Sequence, residues 1–259
     1  MQSINDSHHL VFASLGVIHL VEGNYAEATT AFERRIQKSS ESLGARFNAA
    51  FTLAAIELGE KAASYLEKTI HDAGKYWYKG NTNLYLSRTR AMFPRSENDS
   101  LGYWERAYAE MRAGNYTEAA KYFKLTKLGE MNTLRIYSYQ KIGDIKESQV
   151  LLEKARLQLK SWLNVDAKYF FSSFMLQPIE IAIMEIAYLD GDIDKAVVNL
   201  KKAMERNYIL NFEYKANSTY KKLREHPEWP SIMAESDKRA AVQRDIYLKL
   251  VAKEAETVH

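Results

Sequence analysis

Apolar residues recur along the chain at helical spacing, in segments a few turns long that are separated by short polar breaks. The pattern predicts helices over 8–22, 25–38, 43–57, 59–72, 76–92, 100–113, 116–128, 131–142, 145–161, 169–190, 193–206, 212–225 and 230–256. The breaks are themselves regular. Gly23-Asn24-Tyr25-Ala26-Glu27-Ala28 returns almost letter for letter as Gly114-Asn115-Tyr116-Thr117-Glu118-Ala119, and Phe32 and Phe123 stand four residues after the closing alanines. Weaker copies are Gly143-Asp144-Ile145 with Leu152 and Gly191-Asp192-Ile193 with Leu200. A further copy lies 34 residues after the first, with Ala62 matching Ala28 and Leu66 matching Phe32.

The letters of the unit dictate its shape. Glycine suits the left-handed residue that closes a helix, and the Asn or Asp after it suits the start of the next. A Glu three residues on, in Asn24/Glu27, Asn115/Glu118 and Asp144/Glu147, predicts a reciprocal capping box. Each unit therefore reads as helix, tight reversal, helix. Tyr25, Ala28 and Phe32 share one face of the second helix, and Gly16, Ala50 and Ala107 hold the close-contact place on the first. Ile136 and Met184 take that place in the last two units, which predicts splayed pairs there.

This organisation resembles the tetratricopeptide repeat, a helix–turn–helix of 34 residues. Phe12, Leu15-Gly16, Gly23, Tyr25, Ala28 and Phe32 stand at that family's spacings, and the likeness covers roughly residues 8 to 206. The resemblance implies an all-α, right-handed superhelix of about six helix pairs, with 230–256 as a C-terminal capping helix. Turns 29 and 48 residues apart, from Gly114 to Gly143 and on to Gly191, show that the stack is not uniform. Residues 1–93 form one half and 101–206 the other, joined by a hinge loop at 94–100, with 207–259 closing the stack as one continuous solenoid. The run Leu223-Arg224-Glu225-His226-Pro227-Glu228-Trp229-Pro230 and the charged helix after it also loosely resemble the end of the repeat region in bacterial winged-helix regulators and nucleotide cyclases. Neither effector domain lies in this sequence.

Composition narrows the chemistry. The 259 residues hold 11 glycines, 4 prolines and no cysteine, which fits long helices and leaves neither a disulfide framework nor a thiolate. A net charge of +3 without a basic block argues against direct nucleic-acid binding. Met1 to Ser7 carries no positive charge and no small-residue cleavage site follows, so no signal peptide is expected. Leu10 to Val21 is too short to span a bilayer, so no membrane insertion is expected. A cytoplasmic location follows for the chain as it stands, and a periplasmic one if it belongs to a membrane-anchored regulator. The histidines show no metal-ligand spacing, and no phosphate loop, dinucleotide fingerprint or nucleophile elbow occurs. No catalytic residue, metal or cofactor is expected. An enzyme with a pocket in the stretch from Trp162 to Phe174 is the weakest reading.

What remains is a surface. In the superhelix that the resemblance implies, first helices line a concave groove, and this register points Tyr85, Arg88, Trp104, Tyr108, Arg112, Tyr137 and Lys141 into its middle. Aromatic and arginine side chains supply binding hot spots, yet with 17 tyrosines, 10 phenylalanines and 4 tryptophans many must also fill core. Both readings stay open at this point. Val17 and Phe51 stand where the family's carboxylate-clamping asparagines belong, which argues against a chaperone-tail ligand. The expected function is non-catalytic: a scaffold that holds a protein or peptide partner in the groove. The alternative is a sensory domain of a larger bacterial transcription regulator or cyclase. Exposed solenoid ends often pair, so a homodimer is one expected assembly.

Overall fold

The computed structural model describes residues 5–38, 43–70, 133–172, 175–210 and 217–257, with 103, 106, 107, 110, 111, 113–126, 214 and 215. It is mostly helical with little strand. Helices α1 (Asn5–Glu22), α2 (Tyr25–Lys38), α3 (Leu43–Ala55) and α4 (Gly59–Ile70) make the first two pairs. Helical residues around Ala107 precede α5 (Tyr116–Leu125), and α6 (Thr133–Lys141) precedes α7 (Ile145–Asn164). A hairpin of β1 (Tyr169–Ser172) and β2 (Met175–Pro178) leads into α8 (Ile179–Leu189) and α9 (Ile193–Glu205). A 3₁₀ turn at Ser218–Tyr220, one helical turn at Lys221–Arg224 and the long α10 (Trp229–Thr257) end the described chain. The helix read over 76–92 and the hinge at 94–100 lie outside the described residues.

The repeated turns share one backbone solution. Gly23, Gly114, Gly143 and Gly191 all sit near φ +80°, from +77° to +82°. At the first turn Gly23 N–H donates to the Leu20 carbonyl (3.1 Å) and Asn24 N–H to the His19 carbonyl (2.8 Å), which is the Schellman closure. The other three glycine turns repeat it. In the second pair Glu57 takes the left-handed place at φ +63°, and Leu58 N–H closes onto the Leu53 carbonyl at 2.8 Å. The reversal is so tight that the residue after the glycine belongs to both helices. Its N–H is consumed by the first helix, so a reciprocal capping box cannot form. Only the forward half survives, where Asp144 and Asp192 accept from Glu147 N–H (3.2 Å) and Lys195 N–H (3.0 Å). The two asparagines turn back instead: Asn24 donates to Glu22 at 3.1 Å and Asn115 to Glu110 at 2.8 Å.

Packing follows the small-residue rule where the rule applies. A Cβ added to Gly16 would lie 2.4 Å from the Phe32 ring, so glycine there sets how closely α1 and α2 approach. Met184 nevertheless does not splay the fifth pair. It is fully buried in one core with Ala196 and Leu200, and α8 packs on α9 as extensively as α1 on α2. A flexible thioether adapts where a β-branched side chain would not.

The helix expected over 169–190 begins only at Ile179. Pro178 lacks the N–H an interior position needs, and Tyr169-Phe170-Phe171 favours a strand. Tyr169 pairs opposite Pro178 and Ser172 opposite Met175, while buried Phe170 packs 5.1 Å from the Trp162 ring. The helix expected over 212–225 also breaks. Asn217 accepts from Thr219 N–H at 2.9 Å, which restarts the chain as a 3₁₀ turn.

After α9 the chain leaves the helix through Tyr208, Ile209 and Leu210, all buried. Alternation sends Tyr208 and Leu210 into the large C-terminal core, and Ile209 into a second core with Tyr25, Ala50, Leu53 and Ala62. Helix α10 joins the same two cores, Trp229 and Ile232 in the first, Ala240 and Tyr247 in the second. The first pair is thus held directly against later parts of the chain: the Tyr169 hydroxyl on β1 donates to the Val21 carbonyl (2.7 Å), and Gln243 on α10 accepts from Ala26 N–H (3.0 Å). Among the described residues no helix is long and apolar enough to cross a membrane.

Candidate functional site

Two of the seven residues read as groove-lining, Tyr137 and Lys141, lie on described helix. Tyr85, Arg88, Trp104, Tyr108 and Arg112 lie outside the described residues. Tyr137 and Lys141 are one turn apart on α6, so their side chains share a face. The Lys141 ammonium stands 5.2 Å from the Tyr137 ring centre and 6.0 Å from that of Tyr116, the first residue of α5. Tyr116 meets Tyr137 edge-on at 5.9 Å. Lys141 is exposed, and among the described residues no carboxylate comes within ion-pair distance of it. Burial pushes the Tyr137 hydroxyl above the ordinary tyrosine pKa, and the neighbouring ammonium holds it back.

The tyrosines continue inward. Tyr137 lies 6.4 Å from Tyr188 on α8, Tyr188 lies 5.4 Å from Tyr220, and Tyr220 meets Tyr214 at 4.8 Å. Tyr188 donates to the Thr219 carbonyl, and burial pushes its hydroxyl up to about 12. At the end of this ladder stands Glu185. Its carboxylate accepts from Thr133 Oγ1 at 2.7 Å on one oxygen, and from Tyr214 at 3.0 Å and Tyr220 at 3.2 Å on the other. Three segments of the chain therefore converge on one carboxylate. Desolvation pushes its pKa above the ordinary carboxylate range, while the three hydroxyl donors pull the other way.

Sequence reasoning missed Glu185, although the signal was present. It stands six residues before Gly191, as Tyr137 stands six before Gly143 and Tyr108 six before Gly114. Tyr214 and Tyr220 lie beyond the last repeat, where no periodicity could announce them.

A second carboxylate–tyrosine cluster ties the two ends of the chain together. Glu33 on α2 accepts from Tyr65 on α4 at 2.8 Å and from Tyr247 on α10 at 2.9 Å, and Lys61 Nζ lies 3.1 Å away. Lys61 also sits 4.7 Å from the Tyr247 ring centre and bonds its hydroxyl. Burial and the Glu33 charge push both tyrosine hydroxyls well above their ordinary value. A cleft of about 240 Å³ opens between the first turn and α10, lined in part by Asn207, Lys238 and Arg239. Arg239 is already engaged there by Glu235 (2.7 Å) and the Met204 carbonyl.

The described residues offer an exposed cation on tyrosine rings and a carboxylate ringed by hydroxyls. The chain matches no model of a known protein family, and none of the curated proteins matches it.

Proposed function

We propose that the chain is a non-catalytic scaffold, a tetratricopeptide-like superhelix that takes an extended protein or peptide partner along the face carrying Tyr137 and Lys141. The observation that carries the reading is Lys141, an exposed ammonium over two tyrosine rings with no carboxylate partner among the described residues. An acidic side chain of the partner gains a charge-assisted hydrogen bond there, and an aromatic one gains ring contact with Tyr116 and Tyr137. The repeated turns support the architecture: four glycines and Glu57 reverse the chain by the same closure, so successive first helices present equivalent positions.

The test uses a panel of fluorescein-labelled extended peptides rich in Glu and Tyr, read by anisotropy. Lys141→Glu and Tyr137→Ala should each weaken the best binder by about tenfold or more while the helical circular dichroism is unchanged. Equal binding by folded Lys141→Glu overturns the assignment of this face. Trp104→Ala with Arg112→Ala extends the same assay to the neighbouring pair.

A further inference from the structure

We infer that Glu185 is a docking point for a cationic group, a primary ammonium or guanidinium, carried by the occupant of the groove. The inference rests on the groove reading and deepens it, because Lys141 then receives an acidic group of the partner and Glu185, one pair further on, a basic one.

The argument begins with acceptor capacity. A carboxylate offers about four acceptor positions. At Glu185 one oxygen takes two tyrosine hydroxyls and the other takes Thr133 alone, so one position is left beside Thr133. Thr133 lies one turn before Tyr137 on α6, which sets that position next to the row leading to Lys141. Glu185 keeps partial exposure, and among the described residues no cation comes within ion-pair distance of it.

The protein holds a filled version of the same arrangement. Glu33 also takes two tyrosine hydroxyls, and there Lys61 supplies the cation, bonding the carboxylate and lying over a tyrosine ring at once. Glu185 has the hydroxyls and the rings of Tyr214 and Tyr220, with the Tyr188 ring tilted against the latter at 5.4 Å. A cation from outside would complete it as Lys61 completes Glu33, recovering part of the carboxylate's desolvation cost.

Full-length protein labelled with ¹³C at the glutamate carboxyl carbons is titrated with n-butylammonium chloride, using sodium chloride at matched ionic strength as the control. Glu185→Gln assigns the signal, and the displacement caused by Tyr220→Phe assigns it if the first variant does not fold. The Glu185 carboxyl resonance should move saturably, several-fold further than that of Glu33, whose cation is already in place. Equal movement of the two resonances, or a Glu185 shift matched by sodium chloride, overturns the inference. The acidic peptide is tested on the same samples. Peptide binding without an amine response removes the cation site and keeps the groove, whereas an amine response without peptide binding removes the groove reading.

Discussion

Glu33 and Glu185 stand in similar clusters, each accepting hydroxyl bonds from two tyrosines, Tyr65 and Tyr247 from distant parts of the chain in one case and Tyr214 and Tyr220 from one short segment in the other. They differ in one partner. Lys61 lies 3.1 Å from Glu33, whereas the third donor to Glu185 is the neutral Thr133. The cation keeps the first cluster electrically balanced, so it acts as a clasp between α2, α4 and α10. The second holds its charge by hydroxyl dipoles alone, and burial pushes its pKa upward. One cluster is finished as a structural joint. The other carries a charge that further binding can satisfy.

The largest effect should come from breaking the clasp. Glu33→Ala leaves Lys61, Tyr65 and Tyr247 without their common acceptor and should cost about 3 kcal/mol in urea unfolding. Hydrogen exchange in the second half of α10 should accelerate with it. Exchange confined to α4 would show that α10 is held by its apolar contacts instead. Next come Tyr214→Phe and Tyr220→Phe, each removing one donor to a charged acceptor at a cost of about 1.5 kcal/mol. Either variant should raise the Glu185 pKa further, since the lost bond favoured the charged form. Carboxyl NMR titration checks this, and an unchanged or lowered value would contradict the assigned geometry.

The smallest effect is the pH dependence of stability. The folded-state pKa of Glu185 is raised, so the native state retains a proton that the unfolded chain releases. Its contribution to stability is present in full below the unfolded carboxyl value of about 4.3 and is lost as pH rises to the folded value. Glu185→Gln removes that dependence. Relative to this variant, wild-type stability should therefore decline across that interval and then level off. A gap that widens in favour of wild type on raising pH would mean that a cation already sits beside Glu185.

How much of this could be read from the letters depends on whether the interaction was local. The glycine turns were legible because a left-handed residue followed by Asn or Asp allows few conformations. The capping boxes misled because the letters do not show that one N–H is claimed by two helices. The hairpin over Tyr169–Pro178 was hidden beneath an apolar run that helix and strand can share, although Pro178 marked the boundary. In the candidate site, the i, i+4 spacing of Tyr137 and Lys141 put the two on one face of α6, where the structure has them. Glu185 shared the register of Tyr137 and was passed over because glutamates read as solvating charged helical faces, although its own helix is otherwise apolar apart from Glu180. The meeting of α10 with α2 was illegible, since nothing in the repeat says which core the closing helix will find.

The interlock between the two ends bears on how the chain is made. In an open repeat stack each unit needs only its neighbours, so folding can begin anywhere and spread. Here the Tyr25 hydroxyl accepts from Ile209, 184 positions later, and Glu33 waits for Tyr247, 214 positions later. A nascent chain leaving the ribosome can form its first helices early, yet their core stays unfinished until Ile209 and Tyr247 have emerged. Closing so long a loop slows folding and binds the fate of the first pair to that of the last. The two ends should therefore melt together, in a single step that a repeat-by-repeat array would not show.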